Sequence, residues 1–393
     1  CRKKKRRAQD ALGFEVGFED SLIELCDEIN SLNYVPGTAK AFVVDKPVYR
    51  EVFAPAFKDR VVDTYISMRL NPLLEQKFTD RTFNCRIGKG ALYGINRLYE
   101  DMDTCTEGFV KDCYVFHGDI KGFFMSIPKQ LLCERMDEFI KTHYTGEDKD
   151  SLRYMSHVTI MHRPETDFIR CSPPDKWKHI PKNKSLITNG ADRGLAIGRI
   201  TSQIGANFFL DDFDHWVTGD LGFDYYGRYV DDFYILNNDR QRLLSAIQPI
   251  KKKLEEHFML TLHPDKLYIQ HYTKGVKFTG AVVKPGRIYI SNRTVSGLYK
   301  SIHKFNKEAS SGEIPAEKLE SIVCSLNSYF GIMRHTASYA IRRKCVSMLS
   351  PECWKYIYIK GKFYSFSIKR KYRKESIIIK RLENGNKDRN RFD

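Results

Sequence analysis

Two adjacent aspartates, Asp231 and Asp232, stand between two short β-prone stretches, 225–229 and 233–236, and they constrain the fold more than any other part of the chain. Strand, turn and strand over so short a span make a hairpin whose tip carries both carboxylates. Alone, paired aspartates at a turn are ordinary solvated turn chemistry. Here two other segments precede them. His117-Gly118-Asp119-Ile120-Lys121-Gly122-Phe123-Phe124 reads as a strand that ends on a carboxylate, with a glycine turn behind it. Gly194-Leu195-Ala196-Ile197-Gly198-Arg199-Ile200-Thr201-Ser202-Gln203 lies between the two and opens a helix. A strand-end carboxylate, a helix opened by glycine and a carboxylate pair on a hairpin, in that order, suit a site for hard divalent cations.

The charge balance points to a polyanionic partner. The 393 residues contain 65 Lys and Arg against 49 Asp and Glu, a formal net charge of +16. Each phosphate neutralised by such a surface releases counterions, which favours nucleic acid as the partner. With 42% hydrophobic residues, the chain suits two or three subdomains and a sizeable core. Its ten cysteines include no Cys-x-x-Cys pair and no Cys/His cluster, so neither a disulfide framework nor a zinc site is expected. They read as reduced core thiols of a cytoplasmic protein. No apolar run approaches a membrane span. The basic opening 1–7 has no hydrophobic region behind it and does not read as a signal peptide. The chain starts on Cys1, so the native N-terminus is expected further upstream.

Apolar spacing predicts helices over 18–32, 57–78, 128–143, 148–160, 202–216 and 240–257, and strands over 41–44, 48–54, 112–119, 260–262 and 267–272. Lys46-Pro47 reads as a hairpin turn, residues 162–189 as a loop, and 275–283 with 287–290 as a closing hairpin around Pro285-Gly286. The middle third therefore has the strand–helix–strand–strand–helix–strand order of a ferredoxin-like sheet. Helices dominate after Ser291. Residues 360–393 hold twelve Lys and Arg against four Asp and Glu, half of the chain's net charge.

Joining a nucleotide to a strand is an in-line displacement at phosphorus, served by two Mg²⁺ ions roughly 3.5–4 Å apart. Asp119 and Asp231 are the expected bridging ligands, with Asp232 more peripheral and the Ile120 carbonyl as a further ligand. Mn²⁺ is expected to substitute. Thr201 or Ser202 is expected to cap the helix, and Gln203 and Asn207 to share one face of it.

These blocks resemble a bacterial reverse transcriptase from about Arg2 to Arg343. The likeness is greatest to the lineage of diversity-generating retroelements and the related defence-associated enzymes. It is carried by Ile197-Gly198-x-x-x-Ser202-Gln203, Arg50-Glu51-Val52-Phe53-Ala54, Phe57-Lys58-Asp59-Arg60-Val61-Val62, Phe83-Asn84-Cys85-Arg86-Ile87-Gly88-Lys89-Gly90 and Leu326-Asn327-Ser328-Tyr329-Phe330-Gly331. Ala196, Met125, Asp63 and Thr279 depart from that lineage's pattern. The resemblance implies an α+β right-hand polymerase. Its parts are an N-terminal segment and fingers over 1–112, palm over 113–133, a fingers/palm insertion over 134–190 and palm with catalytic hairpin and primer grip over 191–290. A helical thumb over 291–358 and a basic extension over 359–393 follow.

It also implies roles. Phe124 lies under the nucleotide sugar, where a 2′-OH would clash, and so selects deoxynucleotides. Arg50 and Arg60 bind the dNTP phosphates, although Arg60 has Asp59 and Asp63 as competing partners. Gly198 and Gln203 lie against the nascent pair. Lys266 protonates or neutralises leaving pyrophosphate. Lys274, Gly275, Phe278 and Gly280 grip the primer. Lys362, Lys369, Arg370, Lys371 and Arg373, interleaved with aromatics, bind structured RNA.

The expected activity is RNA-directed DNA synthesis from a dedicated structured non-coding RNA in antiphage defence, with cDNA as product. The alternative role is mutagenic copying of a template repeat in a diversity-generating retroelement. An accessory protein or a second copy of the chain is the expected protein partner. An RNA-dependent RNA polymerase is disfavoured by Phe124 and by Val230 before the aspartates. A catalytically idle RNA-binding scaffold is disfavoured by the three intact carboxylates.

Overall fold

The computed structural model describes residues 9–45 and 48–373. The chain divides into two compact units, residues 1–97 with 104–271 and residues 98–103 with 272–393. The catalytic motifs fall in the first and the expected primer grip in the second, whereas the sequence had joined them in one segment.

The first unit opens with α1 (Gln9–Val16) and α2 (Phe18–Asn30), followed by the hairpin of β1 (Ala39–Val44) and β2 (Arg50–Ala54). The expected turn at Lys46-Pro47 lies outside the described residues. In α3 (Phe57–Lys77), Val62, Ile66, Leu70 and Leu74 recur every fourth residue and are all buried, the stripe that drives an amphipathic helix onto a core. The helix α4 (Ala91–Cys105) was not expected, although Ile95, Leu98 and Met102 have helical spacing.

Next come β3 (Tyr114–Asp119), α5 (Phe123–Ser126), α6 (Lys129–His143), α7 (Lys149–Met161), β4 (Phe168–Arg170) and α8 (Pro174–Trp177). They are followed by α9 (Ile200–Thr218), β5 (Tyr225–Tyr229), β6 (Asp232–Asn237), α10 (Arg240–Phe258) and β7 (Tyr268–His271). Strands β5, β6, β3 and β7 form one antiparallel sheet in that order, the ferredoxin-like order expected. Aromatic packing joins the sheet to its helices. Phe213 of α9 meets Phe233 of β6 and Phe258 of α10 edge-on, at 5.6 and 6.2 Å between ring centres.

Two expectations for this unit are corrected. Residues 162–189 are not simply a loop, because β4 pairs in parallel with β1. Its Phe168 ring lies edge-on to Phe53 of β2, burying apolar surface in an otherwise polar stretch. Residues 260–262 are not a strand. Only Leu262 forms an isolated bridge, to Ile120, as the chain passes the end of β3.

In the second unit β8 (Val276–Phe278), β9 (Ala281–Lys284) and β10 (Arg287–Ile290) form an antiparallel sheet. The single strand expected over 275–283 is split by Thr279 and Gly280, both at positive φ (44° and 89°). Three helices follow, α11 (Asn292–Ser310), α12 (Ala316–Met333) and α13 (Tyr339–Ser347), then α14 (Cys353–Tyr356) and a hairpin of β11 (Ile357–Lys360) and β12 (Ser365–Ile368).

That hairpin crosses the boundary expected at 359. Phe366 is buried in the same cluster as Leu326 and Phe330 of α12. The Asn327 side chain accepts from the Phe366 N–H at 2.7 Å and donates to its carbonyl at 2.9 Å. The start of the basic extension is therefore part of this unit's core. Ile377-Ile378-Ile379, which suggested a packed strand, lie outside the described residues.

The cysteines are not all core thiols, since Cys26, Cys85, Cys171 and Cys324 are exposed. Among the described residues no helix is long and apolar enough to cross a membrane.

Candidate active site

Strand pairing builds the site. Asp119 ends β3 and Asp232 begins β6 directly opposite it, which places Asp231 at the hairpin tip beside them. The Ile120 N–H donates to the Asp231 carbonyl at 3.0 Å and fixes the tip against the end of β3. Asp119 is only 8% exposed. Burial, and then the neighbouring Asp119 carboxylate, pushes Asp231 up to about 6.

Lys266 Nζ lies 2.7 Å from Asp119 Oδ2 and neutralises that carboxylate directly. Asp232 meets His117, whose Nε2 lies 2.6 Å from Asp232 Oδ1. The His117 ring stacks on Tyr268 at 4.8 Å, which fixes its plane. His117 had no role in the sequence reading. The available signal was its position two residues before Asp119, on the same face of a strand.

The bridge between Ile120 and Leu262 hydrogen-bonds through its neighbours, Lys121 N–H to Thr261 and His263 N–H to Asp119. The Ile120 carbonyl is left with no backbone donor among the described residues. Those residues contain no cage of three or more His, Cys, Asp or Glu side chains. The donors at the tip are two carboxylates and one carbonyl. This set fits Mg²⁺, which binds through one or two carboxylates and completes its shell with substrate phosphates and water. A cation there would relieve the repulsion that raises Asp231.

The remaining expected residues divide. Phe123 is buried, and Phe124 is half-buried and packs in part against the core. Gln203 accepts a hydrogen bond from the Cys85 thiol at 3.0 Å. Asn207 does not share an open face with it: it is buried and bonded to Asn84. Neither Thr201 nor Ser202 caps α9, whose N-cap position is Arg199. The Thr201 hydroxyl instead donates to Asp63 at 3.1 Å.

Asp63 also receives the Arg199 guanidinium at 2.7 Å, a pair in which each side chain is 3% exposed. Asp59 accepts from Tyr34 and from the Gly37 N–H. Arg60, for which the sequence offered Asp59 and Asp63 as competing partners, donates its Nε–H to the Pro55 carbonyl at 3.0 Å. Arg50 stands half-buried at the start of β2.

In the second unit Lys274 and Gly280 are exposed, while Gly275 and Phe278 are buried. Of the basic residues near the C-terminus, Lys362, Arg370, Lys371 and Arg373 are exposed. Lys369 is half-buried and donates to the Trp354 carbonyl at 2.6 Å, which makes it a structural tie.

Gly198 has a requirement that the sequence did not reveal. Its φ is 125°, and a Cβ there would lie 2.5 Å from the Phe53 carbonyl oxygen. The glycine lets the start of α9 dock on β2, where the Phe53 N–H donates to Ile197 at 2.8 Å. Gly198→Ala should therefore cost about 2 kcal/mol or more of stability, measured by urea unfolding. A loss under about 0.5 kcal/mol would show that this contact relaxes freely.

The chain is 22% identical over 311 residues to Protein YkfC of Escherichia coli (strain K12), covering 70% of this chain and 74% of that protein. Among solved structures it resembles telomerase from Candida albicans in complex with a TWJ fragment of telomeric RNA (12% identity, TM-score 0.46, 83% of this chain and 59% of that one). It also resembles apo telomerase from Candida Tropicalis (11% identity, TM-score 0.47, 81% and 57%). The chain thus spans less than two thirds of those telomerase chains. The family described as reverse transcriptase (RNA-dependent DNA polymerase) matches residues 44–283, more than half of the chain and all of the hairpin site. With that match and the carboxylates opposed at the sheet's end, the chain belongs to the reverse transcriptase family.

Proposed function

We propose that this chain is an RNA-directed DNA polymerase that extends a primer by two-metal nucleotidyl transfer. The observation that carries the reading is the pairing of Asp119 with Asp232 at the ends of β3 and β6, which sets Asp231 at the hairpin tip beside Asp119, with Lys266 against Asp119. Asp119, Asp231 and the Ile120 carbonyl would hold Mg²⁺, which supplies charge neutralisation for the attacking and leaving oxygens. Lys266, at 2.7 Å from Asp119, would turn to the leaving pyrophosphate once a cation takes over that carboxylate's charge. Arg50 is the proposed triphosphate ligand, by bidentate pairing. Purified protein given an annealed RNA template, DNA primer, dNTPs and Mg²⁺ should extend the primer and stop when the metal is chelated. No extension on any RNA template would overturn the reading.

Phe124 is the proposed sugar gate. Its half-buried ring, which keeps some exposure where the Phe123 ring has almost none, supports this. Phe124→Ala should lower the dNTP-to-rNTP incorporation ratio by about tenfold or more, because one aromatic's steric exclusion of a hydroxyl is worth a few kcal/mol. An unchanged ratio would move the gate elsewhere.

The biological role proposed is antiphage defence with a dedicated structured non-coding RNA, supported by the departures at Ala196, Met125, Asp63 and Thr279 and by the basic C-terminal segment. Mutagenic copying of a template repeat is the second reading, and sequencing the RNA and DNA that co-purify with the protein separates them. A variable target gene with a near-identical repeat would favour the second.

The basic segment is proposed to bind that RNA. Because Phe366 lies in the core, the informative variant changes the exposed Lys362, Arg370, Lys371 and Arg373 together to Gln rather than truncating after Ile359. It should weaken RNA binding and flatten its salt dependence by about 0.7–0.9 in log–log slope per lost phosphate contact. Equal affinity and slope in both proteins would sink this role.

A further inference from the structure

Val230 sets the direction in which Asp231 points, and its backbone lies in the left-handed region at φ 61°. A β-branched residue rarely holds that conformation unaided. Both of its peptide groups are gripped from inside the protein. Its N–H donates to Asn84 Oδ1 at 2.9 Å, and its carbonyl accepts from the Arg228 guanidinium at 3.0 Å.

Each grip is itself locked. Asn84 is 3% exposed, and its amide donates to Asn207 Oδ1 at 2.6 Å while the Asn207 amide donates to the Asn84 carbonyl at 2.7 Å. Arg228 is fully buried and donates twice to Asp214, at 2.7 and 2.6 Å. The Thr82 and Tyr226 hydroxyls donate to the same Asp214 carboxylate. Backbone pairing delivers Asn84 to this place. The Arg228 N–H donates to the Arg81 carbonyl at 2.8 Å and the Phe83 N–H to the Arg228 carbonyl at 2.9 Å, laying the segment before Asn84 along β5.

We propose that Asn84 and Arg228 are positioning residues that hold Val230 left-handed and so aim the Asp231 carboxylate, beside Asp119, at a divalent cation. The inference rests on the metal-site reading above and adds to it how the site is kept in shape before metal arrives. Without the two grips Val230 relaxes toward the β region and Asp231 swings with it. The segment from Phe83 to Gly90, whose role the sequence left open, then has a function: it supplies the acceptor for a strained turn.

The test is Mn²⁺ binding to the full chain, read from the paramagnetic resonance of free Mn²⁺, alongside primer extension as a function of Mg²⁺. Asn84→Ala removes one grip and leaves the Arg228–Asp214 pair intact. It should raise the Mn²⁺ dissociation constant and the Mg²⁺ half-saturation by about tenfold or more, the usual effect of losing a group that orients a metal ligand. The KM for dNTP at saturating metal should stay near wild type.

Glycine takes positive φ at no steric cost, so Val230→Gly in the Asn84→Ala background should return the Mn²⁺ affinity most of the way, a non-additive pair. If Asn84→Ala does not fold, Asn84→Leu keeps the volume without the acceptor and carries the same expectation. Wild-type Mn²⁺ affinity in a folded Asn84 variant, or no recovery with Val230→Gly, overturns the proposal. Asp231→Asn in the same titration separates the two readings. If it too binds Mn²⁺ normally, the metal site itself is misassigned. If it alone loses binding, only the positioning role fails.

Discussion

Asp231→Asn should lower Mg²⁺-dependent primer extension by about a thousandfold or more, since a lost metal ligand removes several kcal/mol of transition-state stabilisation. Asp232→Asn should cost far less, because Asp232 already has His117 as a partner, at 2.6 Å. Equal losses in the two variants would return Asp232 to the ligand set. The same substitution should change stability in the opposite direction from activity. Burial and Asp119 raise the Asp231 carboxyl from 3.8 to about 6. A carboxyl raised in the folded state favours folding below its unfolded value, and that benefit is lost as pH rises through its folded value. In chelator, wild type should therefore lose about 1–2 kcal/mol between pH 4 and pH 7 that Asp231→Asn retains. Melting curves across that range check it, and parallel pH profiles would show that Asp231 does not carry the strain.

Asp214→Ala should destabilise the first unit by about 3–5 kcal/mol, because it strands a guanidinium with no solvent access. Arg228 and Asp214 are each 0% exposed, and the two bonds between them are 2.7 and 2.6 Å. The loss comes from the abandoned charge more than from the pair's own attraction. Replacing the whole group with apolar residues, Asp214→Leu with Arg228→Met, Tyr226→Phe and Thr82→Val, should therefore recover much of the stability. It should not recover metal affinity, because the Val230 carbonyl has still lost its donor. Urea unfolding and Mn²⁺ titration of the two variants separate stability from positioning. A loss under about 1 kcal/mol in Asp214→Ala would mean that water reaches Arg228 after all.

Much of the fold was legible because its elements are periodic. The fourfold spacing in α3 and the strand–turn–strand around Asp231 needed no partner to be read. The order of elements then implied the ferredoxin-like sheet, which put Asp119 and the hairpin side by side. The structure bears out that order, and with the family match it bears out the α+β polymerase class. What escaped the reading was held by distant partners. β4 is three residues in a polar stretch and becomes a strand only because β1 offers it an edge. The β11–β12 hairpin straddles the boundary expected at 359 between thumb and basic extension, because Asn327 and α12 draw Phe366 into the core.

The sequence by itself determined the chemistry available. It supplied three carboxylates in a fixed order, a lysine after them, a pair of phenylalanines and a basic surface suited to phosphate. Tertiary structure alone decided which of these groups act together. It set Lys266 on Asp119 and turned Asp232 toward His117. It made Gly198 a docking point for β2, and it gave Asn84 and Arg228 the task of holding Val230. The physical reason is range. Spacing along a chain reports which face a residue occupies, whereas hydrogen bonds such as Asn84 to Val230, 146 residues apart, exist only once the sheet has closed.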